Sequence, residues 1–250
     1  MNPCFAKRLF LITFCLALSA CENDQNRSPV LNVAVASNFR AAATELSQAF
    51  SQQSGIEIRL SAGSTGKHYA QILNGAPFDV FLAADTRRPR LLDEKNLIQP
   101  NSRITYAIGK LVLWSPDQLL IEGQGLPDKP FAHLAIANPE LAPYGLAAQQ
   151  ALQSLGRWDD LASTMVRGEN VGQVMQYVIS GNAELGFVSA AQLIELDDRG
   201  SRWEIPPTLH QPIQQQAVQL SNDDAATAFM SFLVDRSARA IIAKHGYHLP

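Results

Sequence analysis

The chain has 250 residues, of which 46% are hydrophobic, and this is enough apolar material for one large domain or for two lobes. The same hydrophobic content excludes an intrinsically disordered chain. A charged fraction of 17% and a formal net charge of -3 provide no basic surface field, so a nucleic-acid partner is not expected.

Residues 1–20 have the features of a secretory signal peptide. Lys7 and Arg8 supply positive charge, and residues 9–20 form an uncharged apolar run that is too short to span a bilayer stably. The run ends in Leu-Ser-Ala-Cys, which matches the lipobox at which bacterial lipoproteins are acylated on cysteine. Lipidation at Cys21 is therefore expected, with plain secretion as the alternative.

All the cysteines of the chain, Cys4, Cys15 and Cys21, lie in or at the end of this segment. The mature body is therefore expected to contain neither a disulfide nor a cysteine-based metal site. Residues 21–30 are polar and without periodicity, which predicts a lipid-attached tether. We expect the protein to contact a membrane through this lipid anchor only.

From residue 30 onward, strand-like apolar runs alternate with helical stretches. The predicted strands cover residues 30–36, 56–60, 80–83, 134–137, 185–188 and 217–220, and a second series of elements starts at residues 106–114. Helical spacing predicts helices that include residues 39–50, 67–73, 171–179 and 223–244, and a polar turn followed by a helix over residues 138–155. This alternation favours parallel α/β architecture.

Small polar residues follow several of the predicted strands. The turns are Ser37-Asn38, Ser64-Thr65-Gly66 and Pro143-Tyr144-Gly145. In parallel α/β sheets, ligands bind outside the carboxyl ends of strands, where the first N–H groups of the next helix have no internal partner. Ser and Asn are also preferred helix caps, so capping is the alternative interpretation of each turn.

Neutral donors alone can hold a dehydrated dianion, because helix N-termini carry the positive end of the peptide dipoles. A site built only of donors selects fully ionised oxyanions, since a proton on the ligand would face a donor and leave both unsatisfied. The turns therefore favour a molybdate- or sulfate-like ligand over monohydrogen phosphate.

Sequence motifs of enzymes and of metal-binding sites are weaker than the pattern of polar turns. Residues 64–67 fit the S-x-x-K nucleophile motif of penicillin-recognising hydrolases, but the companion motifs S-D-N and K-T-G are absent. The histidines show no metal-ligand spacing, so no cation site is expected, and we expect them at the surface or at helix ends; they are His68, His133, His210, His245 and His248.

The same turns resemble the periplasmic molybdate-binding protein family of ABC importers. The matching stretches, which span essentially the whole mature chain, are residues 35–38, 61–64, 74–85, 137–139, 143–145, 168–171, 184–188 and 244–247. The Gly-Ala-Pro-Phe-Asp-Val-Phe-Leu-Ala-Ala-Asp sequence within residues 74–85 is the most specific of them.

The resemblance implies a type II periplasmic binding fold, with two lobes of mostly parallel sheet flanked by helices and joined by two crossover strands. Lobe I would comprise residues 31–107 and 217–250, and lobe II residues 108–216. The lobes would close around the ligand by hinge motion.

The resemblance also implies the ligand-binding residues. Ser37 and Ser64 would bind the oxyanion through hydroxyl and N–H groups, and Tyr144 and Val171 through backbone N–H. Asn38 matches a ligand position in some members. Many members place a tyrosine hydroxyl on the anion where this chain has Ser189. Tyr144 is a candidate to compensate for the missing contact.

The implied function is capture of molybdate or tungstate, without a cofactor and without catalysis, for delivery to an inner-membrane ABC permease. The protein is expected to be periplasmic and monomeric. Three alternatives stay open at this point: a binding protein for another oxyanion such as sulfate, a sensory binding lipoprotein, and the S-x-x-K serine hydrolase.

Overall fold

Ten β-strands form two sheets in the computed structural model, which describes residues 30–196 and 199–250. The strands are β1 (Val30–Ala36), β2 (Glu57–Gly63), β3 (Val80–Ala83), β4 (Ile104–Gly109), β5 (Leu111–Ser115), β6 (Leu134–Ala137), β7 (Met165–Gly168), β8 (Leu185–Ser189), β9 (Ser201–Glu204) and β10 (Ile213–Gln219). The predicted signal peptide, Cys21 and the tether up to residue 29 lie outside the described residues.

Helices flank both sheets. They are α1 (Arg40–Ser54), α2 (Thr65–Leu73), α3 (Arg87–Glu94), α4 (Pro143–Ser154), α5 (Val171–Ile179), α6 (Ala190–Leu193), α7 (Asp224–Phe232) and α8 (Arg236–Lys244). In the part of the chain that the structure describes, no helix is long and apolar enough to cross a membrane.

Each sheet combines parallel and antiparallel pairings. The first sheet has the order β2-β1-β3-β10-β4, in which β1 runs parallel to β2 and β3, whereas β10 runs antiparallel to β3 and β4. The second has the order β7-β6-β8-β5-β9, with β6 parallel to β7 and β8, and β5 antiparallel to β8 and β9. The two-sheet α/β architecture is confirmed, and both sheets are mixed.

The central strands are apolar along their whole length because helices cover both faces of each sheet. Every residue of β3, β6 and β8 is buried, which is the pattern of a strand with no solvent-facing side. The edge strand β2 instead alternates between exposed and half-buried residues. These continuous apolar runs are the feature that made the strands recognisable in the sequence.

The chain passes from the first sheet to the second between β4 and β5, and it returns between β9 and β10. The strands β4 and β10, which lie next to these crossings, pair with each other from Ile213 opposite Gly109 onward. The predicted lobe boundaries after residues 107 and 216 fall within these two strands.

The structure refines or corrects several predicted element limits. Within the polar turn and helix expected over residues 138–155, the helix begins at Pro143, because proline is favoured in the first turn of a helix, where its missing N–H costs nothing. The strand expected at residues 217–220 is β10, and it starts four residues earlier, since Gln214, Gln215 and Gln216 pair with β4 although they are polar.

The long helix expected at residues 223–244 is two helices. α7 ends at Phe232, and the N–H of Asp235 bonds back to the Phe232 carbonyl at 2.9 Å. Asp235 then adopts extended backbone angles as the N-cap of α8, a position that aspartate favours. The apolar spacing continues across this break, and that continuity is why it predicted a single helix.

Candidate functional site

The turns that follow β1 and β2 meet the N-termini of α4 and α5 at one small pocket. The residues that line it are Ala36, Ser37, Asn38, Gly63, Ser64, Thr65, Ala84, Ala142, Pro143, Tyr144, Asn170 and Val171. The structure thus brings all five sequence-predicted ligand residues together, and their binding of a ligand stays a prediction.

Ser64 is the N-cap of α2 and is almost completely buried. Its Oγ accepts a 3.2 Å hydrogen bond from the backbone N–H of Lys67. Because a hydroxyl accepts with its lone pairs and donates its own proton, this bond leaves the Ser64 proton for an acceptor in the pocket. Capping and ligand binding are therefore compatible roles for this side chain.

Ser37 opens the short 3-10 turn between β1 and α1. Its Oγ accepts a 3.2 Å hydrogen bond from the N–H of Gly172, which belongs to α5 and hence to the opposite side of the pocket. As with Ser64, the hydroxyl proton is left for another acceptor.

Two helix N-termini supply the donors on the other side. In α4 the first helical hydrogen bond runs from Leu146 N to Ala142 O at 3.0 Å, so the N–H groups of Tyr144 and Gly145 precede the bonded turn. In α5 the N-cap is Asn170, and the N–H of Val171 occupies the equivalent position. Such groups carry the partial positive charge of the helix dipole.

The side chain of Asn38 turns away from the pocket. It is 4% exposed, and its Nδ2 donates to Gln215 Oε1 at 3.0 Å and to the Tyr247 hydroxyl at 3.1 Å. The Tyr247 hydroxyl in turn donates to the Asn38 carbonyl at 2.8 Å. What Asn38 can offer to a ligand is its backbone N–H, held in place by this network.

The hydroxyl of Tyr144 also points away from the pocket, toward β4 and β10. It lies 3.5 Å from Gln215 Nε2 and so close to Gly109 that a Cβ there would be 2.1 Å from it. Burial raises the pKa of this hydroxyl well above its ordinary value, so it stays protonated. Because the hydroxyl does not face the pocket, Tyr144 can compensate for the tyrosine contact missing at Ser189 only through its backbone N–H, and this stays a prediction.

Ser189 is fully buried at the end of β8 and is not among the pocket-lining residues. Its hydroxyl donates to Gln192 Oε1 at 3.0 Å, and Gln192 Nε2 donates to the Val171 carbonyl at 3.1 Å. Ser189 and Gln192 thus hold the Val171–Gly172 peptide at the start of α5. Sequence reasoning missed Gln192, although the Ser-Ala-Ala-Gln spacing is that of a capping box.

The S-x-x-K motif does not form a nucleophile and base pair. The ammonium group of Lys67 is 3.3 Å from Glu169 and its side chain is 55% exposed, so it points to solvent at the rim instead of toward Ser64 Oγ. The described residues also contain no group of three or more His, Asp or Glu side chains that could hold a metal ion.

A family model described as bacterial extracellular solute-binding protein matches residues 31–248. The chain belongs to this family. Membership confirms the expectation of a solute-binding protein.

Similar proteins of this type are close in sequence and in fold. The molybdate-binding protein ModA of Azotobacter vinelandii is 43% identical over 88% of this chain and 90% of its own, and that of Rhodobacter capsulatus is 41% identical over 86% of each. The solved structure of the Azotobacter vinelandii periplasmic molybdate-binding protein has a TM-score of 0.84, with 88% of this chain and 99% of that chain covered.

The two sides of the pocket of this solute-binding protein are in direct contact. The polar contacts that bridge them include Gly66 N to Leu141 O at 2.8 Å, Gly172 N to Ser37 Oγ at 3.2 Å, Lys67 Nζ to Glu169 at 3.3 Å, and the Arg88 guanidinium to the Glu140 carbonyl. The structure therefore represents a closed arrangement, in which the pocket is enclosed between the sheets.

One histidine of the solute-binding protein contradicts the prediction that all five lie at the surface or at helix ends. His68 is 3% exposed, on the first turns of α2, and a Cβ added to Gly63 would lie 2.9 Å from its Nε2. Its Nδ1 is 3.0 Å from Gln71 Oε1, whereas Nε2 has no hydrogen-bond partner. Burial lowers the pKa of His68, which favours a neutral ring beneath the Ser64 turn.

Proposed function

We propose that this protein captures molybdate or tungstate in the pocket between its sheets and delivers it to an inner-membrane ABC permease. The observation that carries the proposal is the convergence of hydroxyl and N–H donors from four separate turns on a small enclosed pocket. The relatives named as molybdate-binding proteins, at 43% and 41% identity, support the same ligand.

The donors fit a small tetrahedral dianion. Each of the four oxygens of such an ion accepts hydrogen bonds, and the pocket offers the hydroxyls of Ser37 and Ser64 and the N–H groups that open α4 and α5. The neighbouring cations Lys67 and Arg88 are engaged with Glu169 and Asp85. Binding would rest on oriented dipoles without a dedicated counter-charge.

Residue roles follow from this chemistry. Ser37 and Ser64 would each donate a hydroxyl proton and a backbone N–H, whereas Asn38, Tyr144 and Val171 would donate backbone N–H groups only. A protonated oxyanion would bind less well, since its own hydrogen would face a donor. The site would thereby discriminate against monohydrogen phosphate.

The proposal also covers how the anion is delivered to the permease and where the protein is located. The lobes of residues 31–107 with 217–250 and of residues 108–216 would separate to release the anion to the permease. The protein would work as a monomer in the periplasm, held at a membrane by lipid on Cys21. Replacing Cys21 with Ala would then release the protein from the membrane fraction; a wild-type protein that is already soluble would contradict the anchor.

Ligand identity can be tested on residues 30–250 after the protein has been stripped of ligand. Thermal unfolding is measured with molybdate, tungstate, sulfate and phosphate. A ligand at a hundred times its dissociation constant stabilises by about 2.7 kcal/mol, which raises Tm by roughly 5 to 10 °C for a chain of this size. A rise with molybdate and tungstate alone supports the proposal. A rise with sulfate alone, or with no oxyanion, overturns it.

A further inference from the structure

The ring of Tyr144 crosses from α4 to the strands that connect the two sheets. Its hydroxyl occupies a recess formed by Gly109 of β4 and Gln215 of β10, which we call the Tyr144 recess. A Cβ on Gly109 would lie 2.1 Å from the Tyr144 oxygen and 3.0 Å from Cζ. Gly109 does not have a positive φ, so its lack of a side chain provides space for Tyr144 and is not a conformational requirement.

The floor of the recess is connected to the opposite side of the pocket. Gln215 is fully buried, and its Oε1 accepts from Asn38 Nδ2 at 3.0 Å and lies 3.2 Å from the Tyr106 hydroxyl. Asn38 belongs to the turn that follows β1 and lines the pocket. The recess therefore joins the first-sheet turn of the site to Tyr144, which opens the second-sheet helix.

We propose that the Tyr144 recess is a closure latch: the Tyr144 hydroxyl enters it when the lobes close, and this seating sets how long the bound anion is retained. The inference rests on the proposed function. Tyr144 would have two roles: its N–H would face the pocket, and its side chain would contact the crossing strands β4 and β10 only when the lobes are closed. Its side chain is thus a positioning group that does not touch the ligand.

A contact made only in the closed form shifts the equilibrium toward that form and slows ligand release. On this proposal the Tyr144 hydroxyl lies outside the recess in the open, ligand-free form, and the stability of that form should not depend on the hydroxyl. This separation distinguishes a latch from an ordinary core contact, whose loss would destabilise both forms.

The test uses Gly109→Ala, which fills the recess, and Tyr144→Phe, which removes the hydroxyl and keeps the ring and the N–H. Molybdate affinity is measured by calorimetry, and compaction on binding by small-angle X-ray scattering. We expect Gly109→Ala to weaken affinity about tenfold or more, as overpacking of a filled site does, and to reduce compaction. For Tyr144→Phe, which loses one neutral hydrogen bond, we expect a loss of about threefold to tenfold.

The double variant Gly109→Ala/Tyr144→Phe adds a readout that a merely structural role would not give. Removal of the hydroxyl relieves the shortest clash, so the two losses should be clearly less than additive. Gly125→Ala, at a glycine with no atom within 4 Å of an added Cβ, and the half-buried Tyr177→Phe are the matched controls. The melting temperature of ligand-free Tyr144→Phe should stay close to that of the wild type. For Gly109→Ala it is expected to fall somewhat, because the added Cβ would also lie 2.9 Å from Gln215 Nε2 on the paired strand.

The outcomes separate the two proposals. A wild-type protein that binds neither molybdate nor tungstate overturns the proposed function, and the latch with it. If the wild type binds and both single variants match it in affinity and compaction, the latch alone is wrong. Additive losses, or a ligand-free melting temperature of Tyr144→Phe that falls with its affinity, would equally reject the latch and assign these residues to general packing.

Discussion

The backbone N–H of Gly66 donates a 2.8 Å hydrogen bond to the carbonyl oxygen of Leu141, on the other side of the pocket. A Cβ on Gly66 would lie 2.9 Å from that oxygen and 3.0 Å from the Leu141 Cα. Backbone atoms cannot move aside as a flexible side chain can. The absence of a side chain at Gly66 is therefore what allows the two sides to approach so closely.

Gly66→Ala is expected to reduce oxyanion affinity about tenfold or more by opposing closure. Gly66 lies within α2, where alanine is favoured over glycine by about 1 kcal/mol, so the ligand-free variant should be as stable as the wild type or more so. Calorimetric affinity and ligand-free urea unfolding provide the two measurements. An unchanged affinity would show that this contact is not needed for binding.

Ser64→Ala should affect both binding and stability. Loss of a hydrogen bond to a charged ligand costs about 1.5 to 3 kcal/mol, so affinity should fall on the order of 10- to 150-fold. Loss of the N-cap of α2 should lower the free energy of unfolding by about 1 kcal/mol.

Asp223→Ala is the matched control for Ser64→Ala. Asp223 caps α7 by accepting from Ala225 N at 2.8 Å, and it is not a pocket-lining residue. Its replacement should cost a similar stability, about 1 kcal/mol, without changing affinity. Equal affinity losses in the two variants would mean that Ser64 contributes to ligand affinity only by stabilising the folded protein.

The sequence was most informative where local pattern and burial coincide. The predicted limits of β1, β3, β6 and α5 match the structure, because each strand is a largely apolar run, and α5 an apolar face at helical spacing, bounded by polar turns. That the polar turns after β1 and β2 lie close together was predictable for a related reason. Parallel strands place their carboxyl ends on one edge of a sheet, so that polar residues after successive strands become neighbours.

The direction of each site side chain was not predictable in this way. Asn38 bonds to Gln215, 177 positions later, and the Tyr144 hydroxyl meets the same residue 71 positions away. Such partners depend on how the two sheets pack, and local periodicity does not contain that information. The buried environment of His68 is set in the same manner by Phe78 and Phe81, whose rings lie 5.6 and 6.2 Å from it.

Gln192→Leu tests the support of the Val171 peptide. The substitution removes the 3.1 Å hydrogen bond to the Val171 carbonyl and the bonds to Ser189. With the peptide less well oriented, affinity should fall about threefold to tenfold, the equivalent of one hydrogen bond. The control is the substitution Gln176→Leu at an exposed position of α5. Equal affinities in the two variants would show that Gln192 does not contribute to ligand binding.

The pH dependence of stability tests the buried histidine. Burial lowers the pKa of His68 below its ordinary value of 6.5, with desolvation as the main cause and the Gln71 contact opposing it. Just below pH 6.5 the His68 imidazole is protonated in the unfolded chain but stays neutral in the folded chain, whose pKa at this residue is lower. This contribution to stability is therefore complete above pH 6.5 and is lost as the pH falls toward and through the lower folded pKa.

Urea unfolding of the ligand-free protein at pH 7.5 and at pH 5 should consequently show a smaller change in His68→Gln than in the wild type, whatever the absolute stability of the variant. The exposed His248→Gln should retain the wild-type change. Because a glutamine side chain does not titrate, the difference between the variants isolates one imidazole. Identical pH dependence in all three proteins would show that His68 is protonated equally in the folded and unfolded states, contrary to its burial beneath the Ser64 turn.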